Sequence, residues 1–364
     1  MLAQSELLIE TSKLVHNWQF FKRFQPGCQM IPVLKSDAYG HGLLDSAKAL
    51  ENAGANLLAV FNLEEAELLR RAGSNSELWV LEGGLPDDIA EAGKLRLTMA
   101  CWSLEQAKAM AKQAQKNDCR YRIHVKIDTG MSRLGFLPAQ IPEFLRFLST
   151  APELELAGCF SHLAISAEPQ HPLTLSQLRN FRQALTMLPA SCHERHLCAS
   201  NGILNRLAPD LPFARLGIGL YGYSELPEFA SQLRLAMTFR SKVISIRELP
   251  AGSLVSYNGT YQMPQAGRLA VVPVGYADGY PRALSNQAEV LIRGRRLPVR
   301  GRVCMGMLMV DAEQMPDLQA GEEVVLLGHQ GAECINADEL AAKTNTIPHE
   351  ILCNLGKHPN RIIK

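Results

Sequence analysis

The sequence predicts an α/β protein: a (β/α)8 TIM-like barrel followed by a mostly β C-terminal domain. Three observations carry this. Eight short apolar runs alternate with amphipathic stretches at intervals of about 25 residues, the rhythm of βα units. Past Tyr223 the texture changes to β-rich runs punctuated by Gly and Pro turns. Polar residues also recur just past the apolar runs, where a barrel carries its chemistry. A doubly wound open sheet shares the βα period, and periodicity alone does not separate the two.

Taken in order, the opening SELLIE is a lone strand-like piece ahead of the first helix, and residues 1–7 are assigned to the C-terminal domain. The barrel spans 8–231. Its strands read as 30–35 (MIPVLK), 56–61 (NLLAVF), 77–82 (ELWVLE), 96–101, 121–127 (YRIHVKI), 154–161 (LELAGCFS), 195–199 and 213–218. Between them LLDSAKALENAG, LEEAELLRRAG, LEQAKAMAKQAQ, IPEFLRFLS and LSQLRNFRQAL have helical spacing, several closed by Gly. The second domain, 232–364, is read from MTFRSKVISIREL, SLVSYNGTY, RLAVVPVGYA, AEVLIRGRRLPVRGRV, MLMVDA and EEVVLLG.

Composition removes several function classes. The 37 Lys+Arg against 36 Asp+Glu leave a net charge of +1, without the basic excess of a nucleic-acid binder. With 47% hydrophobic and 20% charged residues the chain is neither disordered nor fibrous. Glu6 falls before any signal-peptide core, and later apolar stretches are broken by Gly, Pro or charge, so neither a signal peptide nor a membrane span is expected. Nine cysteines without a Cys-x-x-Cys pair point to reduced thiols in a cytoplasm. His193 and His196 beside Cys192 and Cys198 lack a second ligand pair, so no metal is expected.

The polar residues at the strand ends suggest the site. Lys35 ends strand one and is followed by SDAYGHG; Lys126 and Asp128 end strand five; His162 ends strand six; Ser200 ends strand seven; Arg215 lies in strand eight before Gly217 and Ile218. Each alone has a plain reading: Lys35 a solvated lysine, His162 a satisfied histidine, Arg215 an ion-pair partner, Ser200 an N-cap. Together they project to one end of one barrel. The loops after strands seven and eight are the usual phosphate site of this architecture. A lysine at the end of strand one, across from a phosphate, suggests a Schiff base with pyridoxal phosphate. A phosphosugar enzyme explains the phosphate site equally well but leaves Arg215 without a purpose.

Five ordered segments spread over both domains carry a resemblance: AYGHG after Lys35, KIDTGMSRLGF (126–136), RLGIGLYG (215–222), VSYNGTY (255–261) and VGYADGYPRALSN (274–286). They resemble the pyridoxal-phosphate alanine racemases, nearly end to end. The resemblance implies a barrel plus a C-terminal β domain in a head-to-tail homodimer with a shared active site, acting on a small amino acid and supplying D-alanine for peptidoglycan. It makes Lys35 the cofactor lysine and one proton carrier, and Tyr257 the second, donated by the partner subunit. A phenol with an ordinary pKa of about 10 is a poor base unless its surroundings favour the phenolate; His162 and Arg215 match the residues aligned behind it. Arg215 would face the pyridine nitrogen, where related decarboxylases carry a carboxylate. Tyr39, Ser200, Gly217 and Ile218 match phosphate contacts. Arg133 matches the residue at the cofactor phenolate and substrate carboxylate, and Lys126 a lysine that is carbamylated in many members. Met305 would offer its N–H to the substrate carboxylate, and Tyr276 would line the access channel.

The chain departs from the family pattern at three places. Met305-Gly306-Met307 replaces the common Met-Asp-Gln, Lys357 stands where some members have a tyrosine, and Ala199-Ser200-Asn201-Gly202 differs from the common Asn-Ser order. The first two surround the substrate, so looser side-chain selectivity is expected. A broad-specificity or serine racemase and a non-catalytic cofactor carrier are the alternative readings; a carrier has no use for the β domain or Tyr257.

Overall fold

The computed structural model describes residues 5–84, 89–92 and 95–364. These fall into two compact units, one drawn from Leu14–Ala38 and Leu43–Arg234, the other from Met1–Lys13, Tyr39–Gly42 and Leu235–Lys364. The first strand, β1 (Ser5–Ile9), belongs to the second unit. Of the segment 1–7 assigned above, residues 1–4 lie outside the described residues.

The first unit is an eight-stranded parallel sheet. Its strands are β2 (Gln29–Pro32), β3 (Leu57–Val60), β4 (Glu77–Val80), β5 (Leu97–Cys101), β6 (Tyr121–Lys126), β7 (Leu154–Phe160), β8 (Glu194–His196) and β9 (Phe213–Leu216), in the spatial order β2-β9-β8-β7-β6-β5-β4-β3. A parallel bridge between Val33 and Ala59, with Leu34 N–H donating to Ala59 O at 2.8 Å, joins β2 to β3 and closes the sheet into a barrel. Each apolar run of the sequence overlaps one of these strands, although β2 and β8 each begin one residue before the run expected to hold them. Lys35 does not end the first barrel strand as expected: β2 stops at Pro32, and the backbone turns sharply after Lys35, as described below.

Local chemistry explains the outer helices. Thr11–Phe24 buries Leu14, Asn17, Trp18 and Phe21, one stripe at helical spacing, and Trp18 Nε1–H donates to Met30 O at 2.9 Å. Asn62 and Ser103 cap the helices Leu63–Arg71 and Leu104–Lys116 by accepting from Glu65 N–H and Gln106 N–H.

Strand alternation sends an uncommon set of side chains into the barrel. In β6, Tyr121, Ile123 and Val125 are 0–2% exposed on the helix-facing side, while Arg122 and His124 reach across to side chains of β8. The Trp79 ring lies 4.3 Å from His124 and 4.7 Å from His196, and Phe160 stacks on His196 at 4.9 Å. Space for these rings comes from Gly158 in β7. A Cβ there would lie 2.2 Å from Glu194 O and 2.8 Å from His124 Nε2. The β6–β7 ladder shifts register beside it, between Ile123 and His124.

The second unit is mostly β. After β10 (Met237–Lys242) come β11 (Ser245–Leu249), the ribbon β12 (Leu254–Val255) with β13 (Tyr261–Gln262), then β14 (Gly267–Val272), β15 (Glu289–Ile292), β16 (Arg295–Arg300), β17 (Leu308–Asp311), β18 (Glu323–Gln330), β19 (Glu333–Ile335) and β20 (Arg361–Ile363). The main sheet runs β11-β14-β17-β16-β15-β18-β10-β1-β20, with β19 on β18. β1 pairs antiparallel with β10, placing Leu7 opposite Phe239, both fully buried. No described helix is long and apolar enough to cross a membrane.

Gly158→Ala forces a methyl group into Glu194 and His124. We expect it to destabilise the barrel by about 1–3 kcal/mol, the usual range for overpacking, measured as a lowered denaturant midpoint; an unchanged midpoint would show that the interior yields without strain.

Candidate active site

Lys35 stands at the start of a backbone feature that the sequence does not announce. Ser36, Asp37, Ala38 and Tyr39 all have φ between 53° and 55°, a turn of left-handed helix built from four non-glycine residues. Side chains with a Cβ resist this region by about 1–2 kcal/mol per residue, so other contacts must hold it. Glu65 accepts from the N–H of Ser36 at 2.6 Å and of Phe61 at 2.8 Å, and Asp37 accepts from Leu43 N–H at 2.7 Å. Ala38 N–H closes the turn on Leu34 O at 2.8 Å. Lys35 thus leaves the barrel strand on a clamped backbone.

Around the same barrel mouth the structure gathers Lys126, Arg133, His162 and Arg215. Arg215 is 4% exposed and donates through Nη2 to Ser161 O at 2.7 Å, Leu197 O at 3.0 Å and His162 Nδ1 at 3.1 Å. Burial, then the positive charges of Arg215, Arg133, Lys35 and Lys126, hold the His162 imidazole well below its ordinary pKa, so it is neutral. Lys126 is 8% exposed. Burial and the repulsion of Arg133 and Arg215 bring its amine down to about 8. The loop 128–136 that carries Arg133 is wound on Asp128, whose Oδ1 accepts from the N–H groups of Gly130, Met131 and Ser132 at 2.9–3.1 Å. Gly135 permits the return, since a Cβ there would lie 2.6 Å from Asp128 N.

Two short turns complete this mouth. Ser200 opens the helix Ser200–Leu204, whose first internal bond is Ile203 N–H to Ala199 O, leaving the N–H groups of Ser200, Asn201 and Gly202 without helical acceptors. Its N-cap position is Ala199, so Ser200 is not the cap; its Oγ accepts instead from Gly219 N–H at 2.9 Å. That contact ties it to the 3-10 turn Ile218–Tyr221, whose first bond, Leu220 N–H to Gly217 O, leaves the N–H groups of Gly217 and Ile218 ahead of it. Such N-terminal N–H groups suit an anion, phosphate above all. An amine, a buried guanidinium and a nest of N–H groups form a donor set that fits pyridoxal phosphate.

The remaining expected residues lie in the second unit. Tyr39 is buried, its ring 5.6 Å from His349. Tyr257 is 67% exposed, in a turn between Ser256 (φ 63°) and Asn258 (φ 61°). Ser256 Oγ donates to Arg302 O at 2.7 Å and sits 3.3 Å from Cys304 Sγ, which brings Tyr257 beside the 304–307 turn. With Cys304, Met305, Gly306 and Met307 it lines a depression of about 650 Å³. Met305 N–H has no hydrogen-bond acceptor among the described residues, and a Cβ on Gly306 would meet nothing within 4 Å. The N–H groups of Tyr276 and Ala277 donate to Cys304 O and Met305 O. Tyr276 and Lys357 line a second cavity of about 550 Å³.

Sequence reasoning passed over His124 and Glu194, and weighed His196 only as a metal ligand, yet all three lie behind Arg215. His196 accepts from Arg215 Nη1, His124 Nδ1 lies 3.0 Å from His196 Nε2, and His124 Nε2 lies 2.7 Å from Glu194 Oε2. The signal was present in the alternation of YRIHVK, which points His124 to the same face as Lys126.

A closed parallel barrel with a clamped lysine, a buried arginine and anion-binding turns at one mouth defines a barrel enzyme acting on an anionic small molecule. Comparison with known proteins narrows the class. Residues 9–225 match the family "Alanine racemase, N-terminal domain" and residues 236–363 "Alanine racemase, C-terminal domain". The chain is 38% identical to the alanine racemase of Syntrophobacter fumaroxidans over 98% of its length and 96% of the relative's. It is 37% identical to that of Methylacidiphilum infernorum over 93% of its length and 87% of the relative's. Among solved structures, an alanine racemase of Clostridium difficile 630 superposes with a TM-score of 0.92 at 30% identity, over 100% of this chain and 96% of that one. A Bartonella henselae alanine racemase with covalently bound pyridoxal phosphate gives 0.90 at 28% identity, over 100% of both. The chain belongs to the alanine racemase family.

His162 generates a pH test. Its imidazole takes up a proton in the unfolded chain near 6.5 and resists it when folded, so the stability it allows is present above that pH and lost below it. The parent protein is expected to lose stability between about pH 7 and about pH 5 more steeply than His162→Asn, in urea titrations at each pH. Parallel losses would mean that His162 charges freely in the folded state.

Proposed function

We propose that this chain interconverts L-alanine and D-alanine with pyridoxal 5'-phosphate, Lys35 and Tyr257 carrying protons on opposite faces of the α-carbon. When bound, the cofactor supplies an electron sink for the pair left at that carbon. The observation that carries the reading is Arg215, a buried guanidinium held by two backbone carbonyls and two imidazoles. A guanidinium keeps its protons, so Arg215 has none to give a ring nitrogen and keeps the sink weak. That favours return of a proton to the α-carbon over diversion of the electrons elsewhere, as a racemase requires.

The other residues take supporting parts in this reading. The N–H groups of Ser200, Gly217 and Ile218, with the Tyr39 hydroxyl, hold the phosphate. Arg133 holds the substrate carboxylate and the cofactor phenolate, and Met305 N–H meets the same carboxylate. His162, neutral and with its Nδ1 turned to Arg215, has its proton on Nε2 to offer towards the Tyr257 phenol. The Lys126 amine, down to about 8, has a neutral fraction able to add carbon dioxide. The resulting carbamate places a negative charge among Lys35, Arg133 and Arg215 and orients Arg133. Isotope-labelled bicarbonate is expected to give a carbamate carbon signal that Lys126→Ala lacks.

A homodimer with a shared site is part of the proposal. Leu254 and Tyr257 at 67% exposure and Met305 at 62% form an apolar surface on the second unit that favours cover by another copy. The bacterial relatives favour a cytoplasmic enzyme feeding D-alanine to peptidoglycan.

Lys35→Ala is expected to abolish the lysine-bound cofactor absorbance and racemisation in both directions. Tyr257→Phe is expected to keep that absorbance and lower solvent-deuterium exchange into L-alanine by about 10²–10⁴-fold, the worth of a general base. Normal exchange by Tyr257→Phe would remove the two-base assignment. Loss of optical rotation measured separately for L-alanine, L-serine and L-lysine tests the substrate. We expect alanine and serine to turn over comparably, because Gly306 leaves open the space that an acidic side chain fills in many relatives. A large preference for alanine would restore strict selectivity, and no reaction at all would favour a cofactor carrier.

A further inference from the structure

The hydrogen-bond chain behind Arg215 runs through the barrel interior. Nη1 of Arg215 meets Nδ1 of His196; Nε2 of His196 lies 3.0 Å from Nδ1 of His124; Nε2 of His124 lies 2.7 Å from Oε2 of Glu194. The other Glu194 oxygen accepts from Arg122 Nη2, and Arg122 Nη1 also donates to Glu77 and, at 3.1 Å, to Thr98 Oγ1. Both histidines are at most 2% exposed, packed against Trp79, and His196 is stacked on Phe160. None of His124, His196 or Glu194 has a part in the proton transfer described above.

The two ends dictate the direction of the chain. A guanidinium has only donors, so His196 Nδ1 must be an unprotonated acceptor. The His196 proton then sits on Nε2 and is donated to His124 Nδ1, which leaves the His124 proton on Nε2, facing Glu194. Read from the other end, a carboxylate only accepts, and it demands the same proton on His124 Nε2. One arrangement satisfies every link: both rings neutral, both protonated on Nε2. A second proton on either ring, or a switch of either tautomer, sets two N–H groups against each other at one of the three contacts. Burial, which lowers both imidazole pKa values, favours the same state. Burial raises the Glu194 carboxyl, but hydrogen bonds from His124 and Arg122 outweigh it and leave the pKa below the ordinary value.

We propose that Glu194 is a positioning residue for the reaction, acting through His124 and His196 to hold the Arg215 guanidinium in one orientation. The proposal rests on the reading above only in taking Arg215 to face the cofactor ring. Without the Glu194 acceptor, His124 is free to move its proton to Nδ1 and meet the His196 N–H. The mismatch then passes to His196 Nδ1 and to Arg215.

Nitrogen NMR on the holoenzyme with labelled histidine tests the pattern directly, the two signals assigned with His124→Gln and His196→Gln. We expect both rings to be neutral and protonated on Nε2; an imidazolium or an Nδ1–H tautomer at either would overturn the proposal, whatever the activity. Glu194→Leu is expected to lower kcat about tenfold or more, the scale of lost support behind a histidine, with KM changed less than about twofold and the visible circular dichroism of the bound cofactor shifted. A merely structural role would lower stability and leave kcat and that band in place, which would also overturn it. If Glu194→Leu does not fold, Glu194→Gln serves with the nitrogen spectrum beside it: its amide turns an oxygen to one of His124 and Arg122 and an NH2 to the other, so a His124 that leaves the Nε2–H form with kcat unchanged, or one that keeps it with kcat lowered, rejects the positioning role. Failure of the parent protein to racemise any amino acid, with the nitrogen pattern intact, would fall on the proposed function, and the pattern would stand.

Discussion

A buried guanidinium is the constraint from which the barrel interior follows. Arg215 is 4% exposed and cannot shed its charge in a protein, so its surroundings must supply acceptors. They come from the ends of two adjoining strands: Ser161 O and His162 Nδ1 after β7, and His196 Nδ1 and Leu197 O at β8. Each acceptor is thereby committed. His162 cannot take a proton on the nitrogen that faces Arg215, and His196 can pass only one tautomer to the ring behind it. Breaking a buried charge away from its partners is costly on the order of several kcal/mol, so the cluster behaves as a unit rather than as separate contacts.

That commitment explains features of the barrel that a stability argument alone does not. Branched apolar residues usually fill such an interior, yet here Arg122, His124, Glu194 and His196 occupy it, flanked by Trp79 and Phe160. Room for them requires Gly158 and a local register shift in the β6–β7 ladder. Polar groups in a dry interior are favourable only when every donor and acceptor is matched. The Glu194–His124–His196–Arg215 chain meets that condition because its two ends have opposite, fixed hydrogen-bonding character.

The legibility of the sequence divides along the same physical line. The eight strands were readable because a short apolar run bounded by turns and followed by an amphipathic stretch is a local signal, and each run does overlap a strand. Lys35, Lys126, His162 and Arg215 could be picked out because a charged residue at the end of an apolar strand breaks the pattern. The structure draws them into one electrostatic cluster. His124 and Glu194 were passed over, and His196 weighed only beside its neighbouring cysteines, because a polar residue inside a strand looks like ordinary alternation with a solvent face. Only the closed barrel turns that face into a core. Ser200 illustrates another gap: an N-cap is a local inference, whereas its actual partner, Gly219 N–H, lies nineteen residues on and depends on the packing of two turns.

The least legible element is the left-handed turn after Lys35. Four consecutive residues with a Cβ in this region carry a local cost of about 1–2 kcal/mol each, and nothing in KSDAY advertises it. Its support comes from Glu65 and Asp37, whose carboxylates hold the N–H groups of Ser36, Phe61 and Leu43. Those bonds fix the main chain on both sides of the turn, so the lysine amine moves on its side chain alone while its Cα stays put. In the proposed function Lys35 holds the cofactor and then carries a proton, a part that needs this combination of a rigid root and a mobile tip. Strain at this position is therefore consistent with function, and Glu65, which contacts no reacting atom, is part of what keeps Lys35 in place.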